Sequence, residues 1–226
     1  MAELSVTDAM LQRGSVRAYT DQPVPADLVN EILELASHAP SGGNVQPWKI
    51  YAVTGAVKDQ LSQAVLAKAA ESPSGDKPDI PVYPNGLSEP WRSRRYACGE
   101  LMYTALEIGR EDKMGRFEQA AKNMVFFGAP VGLIITMDRA LCESQMIDIG
   151  IFIQSLLLLA QERGLASCPQ TSWSMWSGVI RETMDIPENE MVLIGIALGY
   201  AAAEAPINHL NQARAQLSDF ADLRGF

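Results

Sequence analysis

The sequence predicts an α+β protein. Segments with apolar residues at helical spacing alternate with a few short, very apolar runs of strand length, and the composition is that of a packed globule, with 47% hydrophobic and 20% charged residues in 226. That length is ample for a sizeable core and fits one domain over residues 1–226.

The elements follow in order. Ser5 and Asp8 form an N-cap pair, and the short helix they open delivers Arg13 at its C-terminal end. Leu28, Ile32, Leu35 and Ala39 recur at helical spacing, so an amphipathic helix runs to Pro40, which terminates it; His38 then lies among the free carbonyls of the last turn. Trp48 to Val53 reads as a strand. Further helices are predicted over Val57 to Ala69, Pro90 to Gly109, Gly115 to Phe126, Glu143 to Arg163 and Met175 to Met184, with strands over Val131 to Thr136, Leu165 to Cys168 and Met191 to Leu198. The helix from Glu143 to Arg163 is apolar on most sides, which places it in a core or, preferably, a subunit interface.

Two stretches break this rhythm. Residues 71–90, rich in proline and small polar residues, read as a long loop that either walls a pocket or is a plain surface excursion. Residues 201–226 are polar and proline-bearing, as expected of an extended arm that wraps a partner subunit.

The net charge of −9 argues against nucleic acid or an anionic membrane as partner, while leaving room for a local basic pocket. Met1 to Asp8 has neither the cationic start nor the apolar stretch of a signal peptide. The longest apolar run, Ile147 to Ala160, is interrupted by Asp148, Gln154 and Ser155 and is too short for a bilayer, so a cytoplasmic location is expected. Cys98, Cys142 and Cys168 lack C-x-x-C spacing, which disfavours a disulfide framework or a zinc site. No dinucleotide-binding glycine fingerprint, P-loop or H-E-x-x-H motif occurs, and two histidines offer little for a triad or metal cluster.

Two patches carry the chemistry. Arg13-Gly14-Ser15-Val16-Arg17 brings two guanidiniums and a hydroxyl close enough to converge on one anion, a phosphate above all, although an arginine pair alone can equally be a solvated basic turn. Pro40-Ser41-Gly42-Gly43-Asn44-Val45-Gln46-Pro47-Trp48 offers main-chain N–H groups without bulk, and amides at Asn44 and Gln46 suited to a heterocycle edge. Together they point to flavin mononucleotide (FMN).

With these patches in order, the chain resembles the FMN-dependent nitroreductases. The likeness continues through Pro25 to Leu28, Asn123, Phe126 to Gly132, Gly164-Leu165, Cys168-Pro169-Gln170 and Gly195 to Tyr200, so it spans nearly the whole chain. It implies a central, mostly antiparallel sheet flanked by helices, with the C-terminal arm exchanged in a homodimer that holds FMN at the subunit interface. Arg13, Ser15, Arg17 and Arg214 would bind FMN from one subunit, and Pro40, Ser41, Gly42 and Asn44 from the other; Gln46 and Asn123 are further candidates. Main-chain groups of Pro169, Gln170, Thr171 and Ser172 would lie near flavin N5, and Arg17 near the N1–O2 edge. Gly14 stands where relatives often carry a larger basic residue, and Arg214 lacks the adjacent lysine of some members.

The resemblance further implies a ping-pong cycle in which NAD(P)H reduces the flavin and a nitroaromatic, including one with two nitro groups, is taken by two-electron steps to nitroso and hydroxylamine. No side-chain general acid is required. Trp91, Tyr96, Phe127, Trp173 and Trp176 are candidates for a flat substrate slot, with Arg94 or Arg95 attracting nitro oxygens. Quinones are the next acceptor class. Enone reduction, dehalogenation or flavin fragmentation on the same scaffold, and non-catalytic flavin binding, are the alternatives that remain open.

Overall fold

A computed structural model describes residues 4–226, so the first three residues of the N-terminal segment considered above lie outside it. Its centre is a four-stranded, wholly antiparallel sheet built from β1 (Lys49–Thr54), β2 (Val131–Asp138), β3 (Ala166–Gln170) and β4 (Glu190–Gly199), in the order β1-β2-β4-β3. β2 and β4 are central and buried on both faces, which is why they read as continuous apolar runs without alternating polar positions.

Alternation sorts the side chains between two cores. Val131, Leu133, Ile135 and Met137 of β2 face one, and Ile134 faces the other. The first core is closed by α2 (Ala26–Ala36) and α6 (Glu143–Glu162), the second by α3 (Gly55–Glu71) and α7 (Ser177–Met184). Helix α2 contributes Val29, Ile32 and Ala36, spaced three and four apart; burying Ile32 alone is worth roughly 1.5–3 kcal/mol. A register shift between Ile135 and Thr136 gives β4 one extra residue, so Leu193 and Ile194 both face the first core.

Several boundaries differ from those the sequence predicts. Helix α2 stops at Ala36, where Ser37 Oγ donates to the Glu34 carbonyl at 2.6 Å, and His38 lies in the turn that precedes Pro40. The helix predicted over Gly115 to Phe126 is α5 (Lys113–Ala121), continued as a 3₁₀ segment, Lys122–Gly128, in which Phe126 and Phe127 have φ of 50° and 54°. Tertiary packing holds this conformation. Phe126 is buried and stacks on Trp173 with centroids 4.1 Å apart. Glycine makes the pair possible, because a Cβ at Gly132 would come within 2.5 Å of the Phe126 ring and one at Gly195 within 2.2 Å of the Trp173 ring. Segment Thr171–Trp176 is likewise 3₁₀, so α7 starts at Ser177.

Helix α6 ends one residue short of its predicted span. Its 20 residues have the length and composition of a membrane span, yet Ile149, Phe152, Leu156, Leu157 and Ala160 pack into the first core, while Ile147 and Ile151 are exposed. Helix α4 (Trp91–Ala105) has no buried residue. Residues 72–90 form neither helix nor strand, but the Asp79 side chain is only 4% exposed and ion-pairs with Arg139 and Arg181 while accepting the Val192 N–H at 2.8 Å.

Candidate active site

The arginine patch follows a short N-terminal helix. Helix α1 (Val6–Gln12) is capped by Ser5, whose Oγ accepts the Asp8 N–H at 3.1 Å, and Arg13 leaves its C-terminus. The chain then runs along β3, where Val16 N–H donates to the Ser167 carbonyl at 3.0 Å, and along the segment after β4, where Thr20 and Ala202 N–H groups pair with Tyr200 and Ala18 carbonyls. This pairing holds residues 13–17 beside the returning C-terminal segment.

Between them lies an open cavity of about 540 Å³, lined on one side by Arg13, Gly14, Ser15 and Arg17 and on the other by Asn208, His209 and Arg214. Arg13 and Arg214, far apart in the chain, thus line one cavity. Among the described residues, no carboxylate pairs with any of the three arginines. Arg13 Nε is buried without an acceptor; Arg17 Nη1 donates to the Ser15 carbonyl at 3.1 Å, and its guanidinium stands 6.0 Å from the centre of the Phe127 ring. Three free cations, a buried unsatisfied donor and room for a nucleotide fit the phosphate end of FMN. A Cβ at Gly14 would meet open space, so packing does not demand glycine there.

Deeper along β3, Cys168 is buried beside Ser15 and Arg17. Burial pushes its thiol up to about 11, against the pull of the Arg17 charge. Burial likewise raises Tyr19 well above the usual phenol range. At the end of the strand, beyond Pro169, Gln170 Nε2 donates to both the carbonyl and Oδ1 of Asn123, at 3.0 and 3.2 Å, and Ser172 Oγ donates to the same Oδ1 at 3.3 Å. Gln170 Oε1 is buried with no partner among the described residues. Thr171 is exposed next to it.

The second patch is shaped but stands apart from the cavity. Gln46 N–H donates to Ser41 Oγ at 3.0 Å and Gly42 N–H to Asp148 Oδ1 at 3.3 Å; Gly43, Asn44 and Gln46 all have φ between 50° and 58°. Neither Pro40 nor any of Ser41, Gly42, Asn44 and Gln46 lines the cavity of its own chain.

The aromatic slot does not assemble within the chain. Trp173 is 1% exposed, and with Trp176 and Phe127 it belongs to the second core, so its ring faces are taken by protein. Trp91 and Tyr96 are exposed on α4; Arg94 pairs with Asp219 at 3.7 Å, Arg95 lies over the Tyr83 ring, and Arg110 lies over that of Tyr96. Sequence reasoning missed Asn208 and Cys98 in the cavity wall, since nothing in a polar arm or an exposed helix marks them.

The nitroreductase family model matches residues 10–200. A chloronitrobenzene nitroreductase of Comamonas testosteroni is 35% identical over 95% of both chains, and a 4-nitrobenzoate reductase of Nocardioides sp. is 40% identical over 88% of this chain and 82% of its own. The crystal structure of the FMN- and NADPH-dependent nitroreductase NfnB from Sphigopyxis sp. strain HMH superposes with a TM-score of 0.96 at 41% identity, covering 99% of this chain and all of the other. That of the FMN-dependent NfnB from Mycobacterium smegmatis in complex with NADPH gives 0.90 at 32% identity, covering 96% and 97%. With matches of this extent, the chain belongs to the nitroreductase family.

Proposed function

We infer that this protein is an NAD(P)H-dependent FMN enzyme that reduces nitroaromatic compounds two electrons at a time, to nitroso and then hydroxylamine products. The observation that carries the reading is the set of three arginines, Arg13, Arg17 and Arg214, without carboxylate partners among the described residues, around one cavity in a chain of net charge −9. Arginines kept free in so acidic a protein are reserved for an anion from outside. The relatives named for chloronitrobenzene and 4-nitrobenzoate supply the acceptor class.

FMN supplies the electron transfer between nicotinamide and nitro group when bound. The chain's own part is to hold and to bias. Arg13 and Arg214 neutralise phosphate charge, Ser15 adds a hydroxyl, and Arg17 provides the fixed positive charge that favours the anionic reduced cofactor. Asn123, Gln170, Thr171 and Ser172 supply the polar groups at the far end of β3.

The functional unit is a homodimer. Pro40, Ser41, Gly42, Asn44 and Gln46 do not reach the cavity of their own chain, and a second copy would bring them to it. Exposed Met10, Leu11, Ile147, Ile151, Leu217, Phe220 and Leu223 supply the apolar surface such a dimer buries. Each chain is one domain, its C-terminal arm crosses to the partner, and the enzyme works in the cytoplasm. Trp91, Arg94 and Tyr96 on α4 remain the candidates for contact with the acceptor.

The test is anaerobic. The FMN-loaded protein bleaches on addition of NADPH or NADH and regains its colour on addition of nitrobenzoate or chloronitrobenzene. Flavin that neither nicotinamide reduces would refute the reading.

A further inference from the structure

We propose that Asn208 is the positioning residue that sets the Arg17 charge and joins the two walls of the arginine cavity; this rests on the flavin reading above. Its carboxamide spends its whole hydrogen-bonding capacity on backbone. Oδ1 accepts the N–H groups of Arg17 and Ala18 at 2.9 and 3.2 Å, and Nδ2 donates to the carbonyls of Ala18 and Ala202 at 2.8 and 3.0 Å. Two lone pairs and two N–H bonds are what an amide has to give in this arrangement.

Of these partners Arg17 lines the cavity, and Asn208 itself lines it too. One wall is residues 10–17, the other residues 207–214, and Asn208 belongs to the second while binding the peptide that carries Arg17. The bond to Arg17 N–H fixes the backbone from which the guanidinium departs; that side chain is then located by the Ser15 carbonyl and the Phe127 ring. A fixed charge is effective only where its geometry is held by such support. Replacing Asn208 with alanine would leave part-buried amides of Arg17 and Ala18 without acceptors, and the segment would shift to reach water.

The experiment compares wild type, Asn208→Ala, Arg17→Ala and the double variant, each reconstituted with FMN. Loss of hydrogen bonds at this position is expected to weaken FMN binding on the order of tenfold. Asn208→Ala and Arg17→Ala should both move the midpoint potential of bound flavin to more negative values, and the double variant should match Arg17→Ala alone, since one residue acts through the other. Unchanged affinity and potential in Asn208→Ala, with only a lowered melting temperature, would overturn the proposal; so would effects that add in the double variant.

Amide hydrogen exchange supplies a readout that needs no flavin. Asn208→Ala should lose protection at Arg17 and Ala18. A wild-type protein that takes up no FMN would sink the flavin reading by itself, and unchanged exchange at Arg17 and Ala18 in Asn208→Ala would still overturn the role of Asn208.

Discussion

Asp79 and Arg181 form an ion pair of 2.5 Å in which both side chains are less than a tenth exposed. Asp79 comes from an irregular loop and Arg181 from α7, and the carboxylate also receives Arg139 and the Val192 N–H of β4. A buried pair of this kind adds little over an apolar one, but losing one partner strands the other charge. Asp79→Ala is therefore expected to destabilise the protein by about 3–5 kcal/mol in urea unfolding. Glu188→Ala, which removes the exposed carboxylate 3.7 Å from Arg181, should stay within about 0.5 kcal/mol.

The same carboxylate and Glu190 contribute to the acid limit of stability. Burial opposes ionisation of both. It is outweighed at Asp79 by the Val192 amide, Arg139 and Arg181, and at Glu190 by Lys49, Thr136 and Tyr51, so both titrate below their usual range. Folded values below the unfolded ones mean that the unfolded chain takes up protons first; the stabilisation is present above the ordinary carboxylate range and is lost as pH falls through the folded values. Urea midpoints should be level from neutrality to about pH 5 and fall steeply below about pH 4. In Asp79→Asn and Glu190→Gln that acid slope should flatten.

Arg13→Ala combined with Arg214→Ala removes two of the three cavity arginines from opposite walls. This variant should purify colourless with an unchanged far-ultraviolet spectrum. Full yellow occupancy would place the anion site elsewhere.

Thiol reactivity should divide the cysteines. Cys98 and Cys142 are exposed, whereas Cys168 is buried with its thiol pushed up to about 11. At pH 8 an aromatic disulfide reagent should titrate two thiols in the folded protein and three in denaturant. Because Cys98 lines the cavity, bound FMN should slow its reaction and leave that of Cys142 unchanged.

Trp173 gives a stability prediction in place of a substrate one. Its stack with Phe126 fills the space left by Gly132 and Gly195, so Trp173→Ala should cost about 3–5 kcal/mol. Gly195→Ala, which forces a methyl into the ring, should cost about 1–3 kcal/mol. Both should leave the KM for the nitroarene close to that of wild type.

What the sequence made legible was local. The Ser5–Asp8 cap, the helical spacing of α2 and the runs of β2 and β4 are decided by neighbours in the chain, and Arg13 and Arg17 stand close enough to declare a shared purpose. Resemblance supplied Arg214, the far wall of the cavity. Asn208 and Asp79 stayed hidden because each acts only where distant segments meet, 190 or more positions apart for the Asn208 contacts with Arg17 and Ala18. The spacing predicts a helix through Phe126 because periodicity reports apolar spacing and is blind to a left-handed backbone held by a ring stack. Trp173 was placed in a pocket for a related reason: an aromatic residue reads the same whether its faces meet ligand or protein.

The two walls of the arginine cavity come from opposite ends of the chain, residues 10–17 and 207–214. The cavity therefore exists only while two segments distant in the chain stay docked, and detaching either one opens it.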